Sequence, residues 1–137
     1  MEVKLKRVNQ AFHFEAEANS KIKVHIDSSI ESSGEGKGVR PMELVLMGLG
    51  GCASIDLGLI LKKQKQTLNE YQVHISATRN DNIAKNFEAI HLHFLLWGTF
   101  DPEKVEKAIE LTVTKYCSVI LSLSAAIKIT TSYAINQ

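Results

Sequence analysis

Alternating apolar and polar positions predict strands in both halves of the chain. In KIKVHI (residues 21–26), Ile22, Val24 and Ile26 alternate with polar residues, which is the period of a half-buried strand. Five more segments alternate in this way, some of them weakly, and we interpret each as a strand: residues 3–7, 11–17, 71–79, 89–97 and 127–135.

A long apolar segment occupies the middle of the chain. Residues 42–61 are nearly all apolar or small, and Pro41 before them suits the first turn of a helix. Lys62 and Lys63 follow, where positive charge favours the C-terminal end of a helix. We predict one long helix that is apolar all round, which is typical of the buried centre of a fold. The glycine-rich segment 27–40 before it is predicted to be a flexible loop.

Two shorter helices complete the predicted order. Asp101-Pro102-Glu103 combines a capping carboxylate, a proline and an acidic first turn, and residues 117–124 form a second short apolar segment. The order β-β-β-α-β-β-α-α-β indicates an α+β fold with the long helix packed against a largely antiparallel sheet. A length of 137 residues favours a single domain, residues 1–137. We expect a second copy of the chain to cover so apolar a helix.

Composition and charge are those of an ordinary soluble protein. The chain is 45% hydrophobic and 23% charged, with a net charge of +1, so neither nucleic acid nor an anionic membrane is an expected partner. Residues 42–61 are long enough to cross a bilayer, but their glycines and Asp56 favour a core helix. The start, MEVKLKRVNQ, lacks the apolar stretch of a secretory signal, and we predict the cytoplasm.

The chain has two cysteines, Cys52 in GGCASID and Cys117 in KYCSV. They are 65 positions apart, which excludes a CxxC redox motif or a zinc ribbon. In a reducing compartment such cysteines are free or catalytic rather than a structural bridge. Taken alone, each is typical of a small buried core residue. Cys117 lies at a predicted helix start close to Lys115, and both features favour a thiolate.

These motifs strongly resemble the OsmC/Ohr family of small thiol peroxidases. The resemblance is carried by RPMELVLMGLGGCASIDLGLILKKQKQ and KYCSVILSLSAAIKIT, and it extends to IHLHF and the final ITTSYAI. The pattern P-M-E-L, G-G-C-x-x-I-D, K-Y-C-S-V is closer to the OsmC-like branch. The resemblance implies an OsmC-like fold and an intertwined homodimer whose long central helices meet at the interface. It also implies two active sites, each with a pair of cysteines.

The resemblance assigns a role to each cysteine. Cys52 matches the peroxidatic cysteine, which attacks an organic or lipid hydroperoxide, releases the alcohol and becomes a sulfenic acid. Cys117 matches the resolving cysteine, which condenses with the sulfenic acid to a disulfide. An external thiol or dithiol then reduces the disulfide, and neither a metal nor another cofactor is implied. The apolar surroundings of Cys52 suit a fatty or aromatic peroxide.

In the better-known branch of the family, a glutamate and an arginine assist the thiolate and orient the peroxide, and this sequence does not match them directly. The family glutamate follows the proline, whereas here Glu43 comes one position later, a rotation of about 100° along a helix. Glu43 and Cys52 are nine residues apart, about 13 Å along a straight helix, so Glu43 is expected to act from a bend or from the partner subunit. For the arginine, Arg40 is the first candidate, followed by Arg79 and then Arg7.

Asp56 lies four residues after Cys52, on the same helix face. A bare carboxylate there would disfavour a thiolate, so an active Cys52 requires Asp56 to be paired with a cation or hydrogen-bonded elsewhere. We expect Asp56 to be a buried hydrogen-bond acceptor that holds the fold.

Two alternatives stay open. His91 and His93 project from one side of a strand and could bind zinc or copper with a third ligand, although hydrogen-bonded strand histidines are expected. The chain could also be a non-catalytic dimer that binds a hydrophobic small molecule in a pocket lined by the two cysteines. Hot-dog thioesterases have a similar general pattern, but Asp56 would be the sole candidate for their acid or base. The second cysteine discriminates, since a peroxidase of this kind uses both thiols.

Overall fold

The computed structural model describes residues 1–136, and there the helices and strands follow the predicted order. The α+β class is therefore confirmed. The elements are β1 Val3–Arg7, β2 Phe14–Ala18, β3 Lys23–Ile26, α1 Pro41–Lys63, β4 Thr67–Arg79, β5 Phe87–Thr99, α2 Pro102–Leu111, α3 Ser118–Ser122 and β6 Lys128–Asn136. The chain forms two compact units, Met1–Met47 and the part from Gly48 onward, and a single domain over residues 1–137 stays a prediction.

The first unit is an antiparallel sheet in the order β1-β2-β3, followed by an ordered loop. The loop is organised around Asp27, a buried carboxylate that accepts hydrogen bonds from the backbone N–H groups of Ser28, Glu35 and Lys37. The N–H of Lys37 is the largest of the causes that lower the pKa of Asp27. These bonds give the segment predicted as a flexible loop a defined path, because each satisfies a backbone donor that no strand or helix uses.

The second unit contains a sheet in the order β4-β5-β6. β4 and β5 pair antiparallel, whereas β5 and β6 pair parallel. The sheet is therefore mixed rather than antiparallel throughout. The reason is the connection, since α2 and α3 lie between β5 and β6 and return the chain to the end of the sheet from which β5 began.

One stripe of α1 is the centre of this unit. Every fourth side chain along it is fully buried: Leu49, Ala53, Leu57 and Leu61. Gly50 permits close packing on β4, because a Cβ at this position would meet the end of the Ile75 side chain. Tyr71 in β4 donates a hydrogen bond to the carbonyl of Ser54, 2.7 Å away. The long helix thus packs on the sheet as predicted.

The opposite face of α1 differs from the prediction of a helix buried all round. Ile55 and Leu59 are 63% and 61% exposed. A single sheet covers one side of a helix, so the apolar positions on the other side are left at the surface. Cover by a second copy stays a prediction.

On length and composition, α1 could also cross a membrane. Core helices of soluble proteins meet the same criteria, so this one helix is weak evidence for a membrane span. The absence of a membrane partner and the cytoplasmic location stay predictions.

Candidate active site

Two helical segments bring the cysteines together. Cys52 lies in the middle of α1 and is half-buried. Cys117 lies just before the first residue of α3 and is fully buried. The Sγ atoms of both cysteines and a carboxylate oxygen of Asp56 all lie within 4.8 Å of one another. The roles predicted for the two cysteines stay predictions, but the structure brings both thiols into one cluster.

A π-helical turn sets the position of Cys117. The turn covers Thr112–Tyr116, and the N–H of Cys117 donates to the carbonyl of Thr112, 2.9 Å away. Thr112 is buried, and its hydroxyl donates to the carbonyl of Ala108 at 2.9 Å. Such back-bonding bends a helix, and π-helical turns occur frequently at functional sites. The turn ends α2 and points the chain toward Cys52.

The backbone and hydroxyl at the start of α3 surround the sulfur of Cys52. The backbone N–H of Val119 is the largest cause that lowers the pKa of Cys52, against burial, which raises it. The Oγ of Ser118 lies 3.6 Å from Cys52 Sγ and lowers the pKa further. Sequence reasoning missed both groups. The available signal was the serine that directly follows Cys117 in KYCSV.

The second thiol has the opposite protonation tendency. Burial, the largest cause, raises the pKa of Cys117 to about 11, and the neighbouring Cys52 raises it as well. The N–H groups of Ile120 and Val119 oppose this increase. The cluster therefore combines a thiol whose pKa is lowered, Cys52, with one whose pKa is raised, Cys117.

Asp56 belongs to this cluster, which corrects the expectation of a buried acceptor that holds the fold. It is half-buried, and the thiol of Cys52 donates to its Oδ2 at 3.8 Å. The negative charge of Asp56 raises the pKa of Cys52, as expected for a carboxylate near a thiolate. The contact follows from the spacing of four residues along α1.

Glu43 and Arg40 contact each other at the start of α1. Glu43 is the third helical residue and accepts a hydrogen bond from the backbone N–H of Arg40 at 3.2 Å. Its carboxylate also lies 3.7 Å from the guanidinium Nε of Arg40, and both side chains are largely exposed. The backbone contact is half of a capping box, which explains a glutamate here without catalysis. A catalytic role of either residue beside the thiols stays a prediction.

The other two arginines lie on strands. Arg79 ends β4, and its Nε donates to the carbonyl of Lys85 at 2.5 Å in the turn that leads to β5. Arg7 ends β1 and is exposed. For Arg79 the structure thus gives a local structural contact.

The histidines of β5 are hydrogen-bonded to β6. His91 contacts Thr130 through Nδ1 at 2.7 Å and Ser132 through Nε2 at 2.8 Å, and His93 contacts Ser132 at 2.7 Å. The parallel register places these residues side by side. Within residues 1–136, the group suited to a metal ion contains the two cysteines and Asp56 and neither histidine.

A groove of about 740 Å³ lies between α2 and β6. Its walls include Ile109, Val113, Ile129 and Tyr133, and neither cysteine lines it. It therefore differs from the cysteine-lined pocket of the binding alternative.

The family model described as "OsmC-like protein" matches residues 34–132, a range that contains both cysteines. The chain belongs to the OsmC-like family. The resemblance seen in the motifs is thereby confirmed. Among curated OsmC-like relatives, Protein YhfA of Escherichia coli is 39% identical over 100 residues, which are 72% of this chain and 75% of that protein.

Solved structures share the OsmC-like fold over nearly the whole chain. A hypothetical protein from Aquifex aeolicus has a TM-score of 0.86 and 27% identity, covering 98% of this chain and 95% of that chain. An organic hydroperoxide resistance protein OsmC from Legionella pneumophila has a TM-score of 0.75 and 16% identity, with coverage of 97% and 95%. The second likeness shows the fold alone.

Proposed function

We propose that this OsmC-like protein is a thiol-dependent peroxidase that reduces organic or lipid hydroperoxides to alcohols. One observation carries the proposal: Cys52 and Cys117 come from distant parts of the chain but lie in one cluster. A binding pocket has no need of a second thiol beside the first. The name of the Legionella pneumophila protein, organic hydroperoxide resistance protein, supports the same chemistry on this fold.

The proposed reaction has three steps. The Cys52 thiolate attacks the peroxide ROOH at the oxygen distal to the carbon, the O–O bond breaks, and the released alkoxide takes a proton to become ROH. Cys52 is then a sulfenic acid. The Cys117 thiol loses its proton and attacks that sulfur, which forms the disulfide and releases water. Two external thiols restore the pair and are themselves oxidised to a disulfide.

The half-buried position of Cys52 suits a cysteine that reacts with the peroxide, and the buried position of Cys117 suits a cysteine that reacts with Cys52. Cys52 is half-buried and its sulfur has stabilising contacts with Val119 and Ser118, whereas Cys117 is fully buried. The external thiol that reduces the disulfide is therefore expected to attack the sulfur of Cys52 rather than that of Cys117. The exposed apolar residues Ile55 and Leu59 on the same helix support the homodimer and an apolar surrounding for the substrate.

The test is intact mass with thiol counting after one equivalent of cumene hydroperoxide, in the presence of a metal chelator. We expect wild type to lose two thiols to an internal disulfide, Cys117→Ser to stop at a Cys52 sulfenic acid, and Cys52→Ser to stay unreacted. Hydrogen peroxide and a lipid hydroperoxide are compared in parallel. Survival of both wild-type thiols with all three peroxides would overturn the proposal and favour the binding alternative.

A further inference from the structure

The cluster contains a third member that peroxide reduction does not use. Asp56 accepts a hydrogen bond from the Cys52 thiol at 3.8 Å, and one of its carboxylate oxygens lies within 4.8 Å of both sulfurs. None of the proposed peroxidase steps assigns a role to this carboxylate. Its chemistry fits a different event, in which two thiolates and a carboxylate are held together by a cation.

The distances within the cluster suit tetrahedral coordination. Around Zn²⁺, with bonds of about 2.3 Å to sulfur and about 2.1 Å to oxygen, tetrahedral angles separate two sulfurs by about 3.8 Å and a sulfur from an oxygen by about 3.6 Å. Here Cys52 Sγ and Asp56 Oδ2 are 3.8 Å apart, and all three ligand atoms lie within 4.8 Å of one another. Small side-chain rotations therefore suffice.

The backbone holds these ligands on two regular segments. Cys52 and Asp56 are one helical turn apart on α1, a spacing that brings two ligands to the same metal. Cys117 is fixed by the π-helical turn before α3. Cys52 and Asp56 are only half-buried, so the expected fourth ligand is a water molecule.

We propose that the reduced protein binds one Zn²⁺ per chain through Cys52 Sγ, Cys117 Sγ and the carboxylate of Asp56. Binding replaces both thiol protons with sulfur–zinc bonds and releases two protons to solvent. The site exists only in the dithiol form, since a disulfide has no thiolate to offer. Zinc binding and disulfide formation therefore exclude each other, and bound zinc keeps the pair reduced and unreactive toward peroxide.

Titration with Co²⁺ on reduced, chelator-free protein tests the site, because its spectrum reports the ligands directly. We expect one equivalent to give the charge-transfer absorption of thiolate ligands and the visible bands of tetrahedral cobalt. One equivalent of Zn²⁺ should then displace the cobalt. The disulfide form should give neither absorption. Absence of thiolate-to-cobalt absorption in reduced wild type would overturn the proposal.

The contribution of Asp56 is measured against a matched variant. Asp56→Asn should bind Co²⁺ at least about tenfold more weakly, since even partners outside the first coordination sphere change metal affinity by this factor. Asp81→Asn, at an exposed loop aspartate, should bind like wild type. Equal affinity in Asp56→Asn would show that the carboxylate is not a ligand. Circular dichroism checks that both variants are folded.

The outcomes separate the zinc site from the peroxidase. A protein that binds cobalt through its thiols but keeps both thiols after peroxide has the metal site and lacks the proposed activity. A protein that forms the disulfide with peroxide but gives no cobalt–thiolate absorption has the activity and lacks the site. Addition of Zn²⁺ before cumene hydroperoxide should abolish thiol loss in wild type and leave the sulfenic acid yield of Cys117→Ser less affected.

Discussion

The Oγ of Ser118 lies 3.6 Å from the Sγ of Cys52, although 66 positions separate the two residues. The contact exists because the π-helical turn ends α2 and directs the start of α3 at the middle of α1. A hydroxyl beside a sulfur stabilises the thiolate when it donates a hydrogen bond. Ser118 is therefore the side chain, outside the cysteines themselves, that favours the reactive form of Cys52.

Replacement of Ser118 by alanine should make Cys52 less reactive. The hydrogen bond from Ser118 stabilises the Cys52 thiolate more than the neutral thiol. Its loss therefore raises the pKa of Cys52. Alkylation by iodoacetamide at neutral pH should slow about two- to tenfold, the effect of one hydrogen bond worth roughly 0.5–1.5 kcal/mol. Ser118→Thr should keep most of the rate, and Ser20→Ala, at an exposed serine elsewhere, should not change it. An unchanged rate in Ser118→Ala would leave the backbone N–H of Val119 as the main support.

Replacement of Asp56 by asparagine should have the opposite effect on Cys52 in metal-free protein. The carboxylate raises the pKa of Cys52 through its charge, so removal of the charge lowers that pKa. The pH profile of Cys52 alkylation in Cys117→Ser should move to lower pH when Asp56→Asn is added. Asp81→Asn provides the matched loss of a carboxylate far from the cluster. A shift to higher pH would indicate that Asp56 assists deprotonation instead.

Much of the fold was predictable because its signals are local. Alternation located β4 and β5, and the capping residues Asp101 and Pro102 located the start of α2, where Asp101 accepts from the N–H of Glu103 at 3.0 Å. β4 begins at Thr67 rather than Tyr71, since its first residues are mostly polar and give no alternation. The parallel pairing of β6 with β5 depends on the crossover through α2 and α3. The residue pattern of β6 itself does not distinguish parallel from antiparallel pairing.

The site was predictable only in its cysteines. A motif marks Cys52 and Cys117, but the N–H of Val119 is a backbone group that every residue other than proline has. Its importance arises because the start of α3 lies next to Cys52 in the folded chain. Likewise, the spacing of Asp56 from Cys52 placed both residues on one helix face, but their hydrogen bond and the approach of Cys117 to both required the structure.

Alkaline pH should lower the free energy of unfolding, because the Cys117 thiol is then deprotonated. Its pKa is raised from 9.0 to about 11 in the folded chain, so folding favours the neutral thiol. This contribution is fully present below pH 9, because the thiol is then neutral in both states, and it is lost as pH rises toward 11. Urea unfolding of reduced wild type and of Cys117→Ala measures it. Tyrosines and lysines titrate in both proteins, so the stability difference between the two isolates the thiol and should shrink as pH rises from 9 to 11.

Truncation of the buried stripe of α1 should cost more stability than truncation at the surface. Leu57 is fully buried, and Leu57→Ala should lower the free energy of unfolding by about 2–5 kcal/mol through lost burial and a cavity. Ile83 is fully exposed in the turn between β4 and β5. Ile83→Ala should change the free energy of unfolding by less than about 0.5 kcal/mol. Equal effects in urea unfolding would contradict the packing described for α1.

A charge on the exposed face of the same helix should disrupt association instead of folding. Ile55 and Leu59 are large apolar residues one helical turn apart, and both are more than half exposed. If they meet a second copy, Leu59→Asp buries an unpaired carboxylate at the interface, which is costly. Sedimentation should then find wild type and Ile83→Asp as dimers and Leu59→Asp as a folded monomer over the same concentration range. A wild-type monomer would remove the homodimer from the proposed function, and a dimeric Leu59→Asp would move the interface to another surface.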